Sequence, residues 1–493
     1  MYSFRRPSLW HSSSAGRCAK AVAMPLVAVA LLLACFRPLM SASSETSSAP
    51  SRSASEIKPD LVLDFSSDLV GFVEPCGCVT GQYGGVARRA TYLKRARASG
   101  IPILTLFAGD LVAGVGELND IRADTLLAAF AQMKYDAAVP GEMDLLEGAD
   151  VVRRRWLPHQ FSVAGNLTDT DGKPILPRYL VRTVTIPPAG GRPGRFRVAI
   201  TGLISPDLLQ KAEQITGTTA EGLRLSDPKA ALLSLLPRMK KEADLVVVLA
   251  HLGVPAAAQL GKDVPDVDVI IAGHNPTVSV LTPPDLGGPL LVAAGDRGRH
   301  ITELRLKLSQ AGIEAYSTRQ QPLGDIIPND PALAQLMETY RSKAAGYGRE
   351  VLAALAARRT EQAGPYTGAK VCAMCHQAED AQWKTTKHPN ALEALKKWHP
   401  SAAYRVECLQ CHVVGLGSPY GYLGEKATPQ FVGVQCENCH GPGRKHVDAA
   451  FANKPSAALI TKTPTEALCR SCHDLENDPH FDFPTYIVKV RHK

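Results

Sequence analysis

The chain has 493 residues, with 55 Lys and Arg against 47 Asp and Glu, a formal charge of +8 and 45% hydrophobic residues. Four of those positive charges (Arg5, Arg6, Arg17, Lys20) lie in residues 1–35. No basic stripe with interleaved aromatics follows, so composition excludes a nucleic-acid footprint, and the length implies two domains once the leading segment is set aside.

Residues 1–35 read as a secretion signal, a basic start followed by the apolar run Ala21–Ala34, which is too short to span a bilayer comfortably. Leu32-Leu33-Ala34-Cys35 leaves two readings open: a lipobox whose Cys35 is lipidated, or a plain signal peptide with an incidental cysteine. Both place the mature chain in the periplasm or cell envelope, with membrane contact only through a lipid on Cys35. Residues 36–56, rich in Ser and Ala, are expected to be a disordered tether.

Residues 57–325 are rich in Val, Leu and Ile, and strand-like runs there end repeatedly in polar residues. Leu61–Phe65 leads to Ser67-Asp68, and Ile101–Phe107 to Gly109-Asp110. Asp136–Val139 leads to Gly141-Glu142-Met143-Asp144, Asp244–Leu249 to His251, and Val267–Ala272 to Gly273-His274-Asn275. Carboxylates and imidazoles at the carboxyl ends of strands are where an α/β sheet places a metal or ligand site.

This order resembles the calcineurin-like metallophosphoesterases, in particular the periplasmic 5′-nucleotidase branch. The likeness is carried by Gly84-Gly85-Val86-Ala87-Arg88-Arg89-Ala90-Thr91-Tyr92-Leu93, Gly109-Asp110, Ala250-His251-Leu252-Gly253 and Ala272-Gly273-His274. The resemblance implies an α/β fold, a β-sandwich flanked by helices, in which two divalent metals share a bridging Asp and generate hydroxide. It also implies the metal ligands Asp68, Asp110, Glu142, His251 and His274.

The chain departs from that pattern at working positions. Val70 replaces the His of Asp-x-His, Met143 replaces the His that stabilises the leaving group, and Pro276 replaces the last His of Gly-His-x-His. By the resemblance, Asp110, Glu142, His251 and His274 still hold one metal (Zn, Mn or Fe), while the other site keeps only Asp68 and the bridging Asp110. A mononuclear or remodelled site is therefore expected in place of ordinary two-metal hydrolysis, with a site that holds no metal at all as the alternative.

Cys76 and Cys78 fall in the loop after Asp68. Three readings stay open for them: a strained local disulfide or separate contacts, a thiolate replacing the ligand lost at Val70, or a redox-active pair.

Residues 326–363 form the expected connector, with Pro331–Arg359, rich in Ala, Leu and basic residues, reading as one helix. Residues 364–493 then carry four copies of Cys-x-x-Cys-His: Cys372, Cys375 and His376; Cys408, Cys411 and His412; Cys436, Cys439 and His440; Cys469, Cys472 and His473. Each copy is the attachment signature of a c-type haem, two thiols for the vinyl groups and an adjacent His for the iron. A zinc ribbon would not need a His after all four pairs. Four haems bring roughly eight propionate charges, which outweigh the local excess of 15 Lys and Arg over 12 Asp and Glu.

Met374, inside the first attachment loop, is the single methionine of this region, so His/Met ligation is not expected and bis-His, low-potential iron is. Five other histidines are present: His388, His399, His446, His480 and His492.

The region resembles the tetrahaem cytochrome c-554 family. Tyr366-Thr367-Gly368, Thr386-Lys387-His388, Cys408 to Gly415, Gly433 to Gly443 with His446, and Phe481-Asp482-Phe483 through His492 carry the likeness. It implies a mostly α, haem-packed domain with His388, His446 and His492 as distal ligands, the fourth being His399 or His480. If neither binds, one haem is five-coordinate and can meet a small nitrogen compound.

The expected function is an exported multihaem cytochrome that passes electrons to redox partner proteins of the cell envelope. Its N-terminal domain would serve as a docking, substrate or regulatory module. Two alternatives are a metal-dependent phosphohydrolase with a haem redox module, and an oxidoreductase acting on a small nitrogen compound at an open haem.

Overall fold

Among the described residues, ten of the fourteen strands fall into two five-stranded sheets. The computed structural model describes residues 57–76, 82–186, 194–275, 288–295, 297–309, 312–474, 477–478 and 480–492, the Cys76 side chain excepted. Residues 1–56, Cys78 and Pro276, and with them the readings of the leader, of Cys35 and of the tether, lie outside the described residues.

In chain order the strands are β1 (Leu61–Ser66), β2 (Pro75–Cys76), β3 (Tyr83–Gly84), β4 (Ile103–Ala108), β5 (Ala137–Val139), β6 (Leu167–Asp169), β7 (Tyr179–Thr185), β8 (Arg195–Ile204), β9 (Leu223–Leu225), β10 (Leu245–His251), β11 (Val269–Ala272), β12 (Leu290–Ala293), β13 (His300–Ser309) and β14 (Gly312–Pro322). The helices of this part are α1 (Val86–Arg97), α2 (Glu117–Gln132), α3 (Ala149–Trp156), α4 (Pro206–Thr216), α5 (Pro228–Glu242) and α6 (Val254–Asp263).

The first sheet has the order β14-β13-β1-β4-β5 and the second β12-β11-β10-β8-β7. In the first, β1, β4 and β5 run parallel, with β13 and β14 added antiparallel. In the second, β8, β10, β11 and β12 are parallel and β7 is an antiparallel edge. Strands covered on both faces read as continuous apolar runs rather than alternating ones. Accordingly every residue of β1 and of β10 is buried. The sheets share one core, and a Cβ at Gly202 of β8 would lie 2.5 Å from the Val139 side chain of β5, so the small residue permits their close approach. This is the two-sheet α/β fold that the sequence led us to expect.

A short 3-10 turn (Pro331–Leu333) then leads into α7 (Ala334–Ala357). Beyond it the described residues form short α-helices, α8 (Ala369–Cys372), α9 (Gln377–Lys384), α10 (Ala391–Trp398), α11 (Val406–Leu409), α12 (Cys436–His440), α13 (Arg444–Phe451), α14 (Glu466–Arg470) and α15 (Phe483–Val490), joined by 3-10 turns. A small apolar cluster, including Leu352 of α7, Leu392, Leu409, Val413, Tyr422 and Phe431, anchors the front of this region. By contrast α9, α13, α14 and α15 bury none of their residues, and Phe451 and Val488 stand 65% and 70% exposed. No described helix is long and apolar enough to cross a membrane.

Candidate functional site

Two groups of chemistry-bearing residues stand out. The first lies at the carboxyl ends of β1, β4, β5, β10 and β11, where the parallel strands of both sheets deliver Asp68, Asp110, Glu142, His251 and His274 to one place. Ligand atoms of Asp68, Asp110, His251 and His274 all lie within 4.8 Å of one another. Glu142 joins them through its carboxylate, with His251 Nε2 at 2.7 Å from one oxygen and His274 Nδ1 at 3.0 Å from the other. The structure thus draws Asp68 into the same cluster as the other four.

Local structure holds each group. His251 is wholly buried, and its Nδ1 donates to the Ala108 carbonyl at 2.7 Å, which leaves Nε2 aimed at Glu142 and, at 3.5 Å, Asp110. Asp110 Oδ1 accepts from the Met143 backbone N–H at 3.2 Å, and Asp68 Oδ2 from that of Asn275 at 3.2 Å. The turns are tight enough to exclude side chains at two glycines. A Cβ at Gly109 would meet His251 Nδ1 at 2.1 Å, and one at Gly141 would meet Asp110 Oδ1 at 2.0 Å.

Backbone strain concentrates here as well. Asp68, Val70, Asp110 and His274 all take left-handed φ values, between 41° and 59°. Each such residue costs of order 1–3 kcal/mol and persists only where the surroundings over-determine it, typically at functional sites. Val70, β-branched, retains this conformation although its side chain offers no ligand atom.

The electrostatics describe a site that demands positive charge. Burial raises the Asp110 carboxyl to about 6, against the pull of His251. Burial alone would also raise Glu142, but His251 and His274 outweigh it and hold this carboxyl well below the usual range. Burial likewise works against a charged His251, yet Asp110 and Glu142 lift it well above its ordinary value. His274 is raised first by its hydrogen bond to Glu142. A divalent cation satisfies the same demand. Three carboxylates and two imidazoles form a donor set that suits Zn, Mn or Fe.

Sequence reasoning did not single out Asp144. Its buried carboxylate accepts from the backbone N–H groups of Leu111, Val112 and Gly141 and so ties the Asp110 turn to the Glu142 turn. Burial, followed by the nearby Asp110, raises it to about 7. The signal was its place three residues after Gly141. The Cys76 backbone pairs with that of Tyr83, and the readings of Cys76 and Cys78 as disulfide, ligands or redox pair rest on atoms outside the described residues.

The second group is the set of histidines in residues 366–492. Each Cys-x-x-Cys-His sits on a helical turn; the His376 N–H donates to the Cys372 carbonyl at 3.0 Å and the His473 N–H to that of Cys469 at 2.9 Å. Residues three and four apart share a helix face, so both sulfurs and the imidazole can address one planar group.

Three imidazole pairs face one another: His376 with His446 at 6.2 Å between ring centroids, His388 with His473 at 6.2 Å, and His440 with His492 at 5.7 Å. An iron held by two imidazole nitrogens at about 2 Å each sets the nitrogens about 4 Å apart, and His440 Nε2 and His492 Nε2 lie 3.4 Å apart. The outer nitrogens are engaged: Nδ1 of His412, His440 and His446 contacts the carbonyls of Ala391, Thr461 and Ser456 at 2.6, 2.6 and 3.0 Å. Such bonds set the tautomer that leaves Nε2 for metal.

His412 is paired with no second imidazole among the described residues. His399 is directed elsewhere, Nδ1 to the Ser401 hydroxyl at 2.7 Å and Nε2 3.6 Å from Glu338, and His480 is exposed. The motifs also associate in twos. The Cys372 thiol is lowered first by a hydrogen bond with Cys436, and that of Cys472, to about 6, by one with Cys411. The facing imidazoles and the exposed apolar side chains fit covalently attached haem.

Comparison with known proteins agrees with both halves. Residues 63–277 match the family model for calcineurin-like phosphoesterases, and residues 371–441 that for cytochrome c554 and c-prime. Cytochrome c-554 of Nitrosomonas europaea is 36% identical over 135 residues, covering 24% of this chain and 54% of that protein. The trifunctional nucleotide phosphoesterase YfkN of Bacillus subtilis is 24% identical over 216 residues, 39% of this chain and 14% of that one. A 5′-nucleotidase precursor from Thermus thermophilus superposes with a TM-score of 0.48 at 22% identity, covering 57% of this chain and 58% of that one. The chain spans about half the length of the cytochrome it matches and less of the phosphoesterase. It carries a calcineurin-like phosphoesterase domain followed by a cytochrome c-554-like domain.

Proposed function

We propose that this protein is an exported electron carrier of the cell envelope, with four covalently bound c-type haems and one divalent metal in the N-terminal domain. The observation that carries this reading is the set of three facing imidazole pairs, each joining the His of an attachment motif to a histidine from another segment. A bound haem supplies one-electron chemistry at its iron. The chain sets its geometry, axial ligands and access to solvent. The thiol contacts between first and third motifs, and between second and fourth, support close spacing of the redox groups, as a relay requires.

In the N-terminal domain, Asp68, Asp110, Glu142, His251 and His274 would hold the metal, which supplies Lewis-acid polarisation of a bound oxygen. Met143 cannot donate a proton to a leaving group, so this domain acts as a docking, substrate or regulatory module rather than an ordinary phosphohydrolase. Redox partner proteins would meet the haem domain, and any membrane attachment would run through a lipid on Cys35.

A second reading is favoured by His412, whose imidazole has no partner imidazole among the described residues. Its haem would keep an open face, which gives a small nitrogen compound such as nitric oxide a place to bind.

Redox-titrated absorption and EPR of the purified holoprotein, with haem and metal quantitation, test both readings. Four haems, three low-spin and one high-spin, and one metal that is lost in Glu142→Ala and His251→Ala are expected. Mainly His/Met spectra, or equal metal content in both variants, would refute the corresponding assignment. A fourth low-spin haem insensitive to nitric oxide would remove the second reading.

A further inference from the structure

A buried charge network joins the two halves of the molecule. Its centre is Arg405, 7% exposed, which caps the helix that bears Cys408; the N–H groups of Cys408 and Leu409 donate to its carbonyl at 3.0 and 2.9 Å. The Arg405 guanidinium reaches across to the N-terminal domain and meets Glu74 Oε2 at 2.5 Å, while Nε donates to Glu407 Oε1 at 2.8 Å and Nη2 to the Tyr340 hydroxyl at 3.1 Å. The rings of Tyr340 and Trp398 lie 5.2 and 5.9 Å from it. Glu74 is itself shared, with Arg341 Nε of α7 at 2.7 Å from its other oxygen. Arg122 of α2 closes the set at 3.6 Å from Glu407.

Three features make this network more than an interface clasp. Its three guanidiniums face Glu74, Glu407 and the exposed Glu338, 3.6 Å from Arg341, and the second oxygen of Glu407 is buried without a hydrogen-bond partner among the described residues. It stands beside the attachment motif whose His412 has no partner imidazole among the described residues. And Glu74 ends the loop that begins at Asp68 of the carboxylate–imidazole cluster and runs on into Pro75–Cys76. Charges in a poorly solvated interface act on their neighbours far more strongly than charges in water. Burial and local charge are also levers that set a haem's potential.

We propose that Glu74, through Arg405, sets the reduction potential of the haem attached at Cys408 and Cys411, so that the phosphoesterase-like domain governs that haem electrostatically. This rests on the reading that haem is bound at that motif. Removing a negative charge here leaves Arg405 less compensated and favours the reduced iron. Removing a positive charge does the reverse.

The test is a potentiometric titration of the full-length holoprotein, comparing wild type with Glu74→Gln and Arg341→Gln, which lie on opposite sides of one ion pair. One of the four redox waves is expected to move up in the first variant and the same wave down in the second, with the other three in place. Loosening of the interface would instead move that wave in the same direction in both. Such a shared shift, unmoved waves, or a displacement of all four overturns the inference. Peptide mass analysis separates this from the underlying reading: a peptide with Cys408 and Cys411 unmodified overturns both, whereas haem present with an unmoved wave overturns only the coupling. Should Glu74→Gln fail to take up haem, Glu407→Gln removes a carboxylate from the same guanidinium and is expected to move the same wave up.

Discussion

Asp64 lies at the middle of β1, opposite Glu303, with both carboxylate oxygens buried and without hydrogen-bond partners among the described residues. Burial first, and then the charge of Glu303, raise its carboxyl to about 7. The folded form therefore holds a proton that the unfolded chain releases near pH 4. The associated stability is fully present below that pH and is lost as the pH rises through about 7. Each pH unit in that window removes about 1.4 kcal/mol, so the loss between pH 5 and pH 7 is of the order of 2–3 kcal/mol. Thermal denaturation should show Asp64→Asn to be less sensitive to pH across that window; parallel curves would place the proton elsewhere. Nothing in Leu61-Val62-Leu63-Asp64-Phe65 marks this carboxylate as buried without a partner, because the effect arises from β13 across the sheet. That Asp68, Asp110, Glu142, His251 and His274 lie within a few residues of the ends of apolar runs was legible, and parallel sheets gather strand ends, while their role as ligands rested on the family resemblance. Asp144 was not, because its role lies in three backbone N–H groups that only the folded turn brings together.

Helix α7 shows the same division at the next scale. Its extent was legible from an uninterrupted helix-forming composition, and the observed Ala334–Ala357 falls inside the expected segment. Its contacts were not. A glycine inside a helix ordinarily reads as a cost of about 1 kcal/mol. At Gly348, however, a Cβ would stand 1.6 Å from the Tyr404 carbonyl oxygen, so the bare backbone lets residues 400–404 lie directly on the helix. Gly348→Ala is expected to lower stability by roughly 1–3 kcal/mol, despite alanine's better helix propensity, because the two elements must part. Denaturant titration of the full-length protein checks this, and a stabilised variant would show the approach to be dispensable. The short helices of the haem region had no periodicity to read. They depend on what covers them rather than on their own hydrogen-bonded turns.

Across the whole molecule, the two sheets and the four attachment motifs were written plainly in the order of residues, whereas the joint between them was not. Glu74, Arg341 and Arg405 are far apart in the chain and unremarkable as single charges; only the packed structure makes them one group. That joint predicts coupled unfolding. Melting of the holoprotein followed by the haem absorption band and by far-ultraviolet dichroism should give coincident transitions, and two separated steps would contradict it. The imidazole pairs carry a different consequence. The spans from His376 to His446, from His388 to His473 and from His440 to His492 overlap one another, and none nests inside another. No pair can be closed early in synthesis and left behind as a finished piece: the first waits for segments beyond the third motif, and the last waits for the final helix. Under the proposed bis-His reading, ligation in this module would thus complete late and at high contact order, the final pair closing only when the last turn arrives.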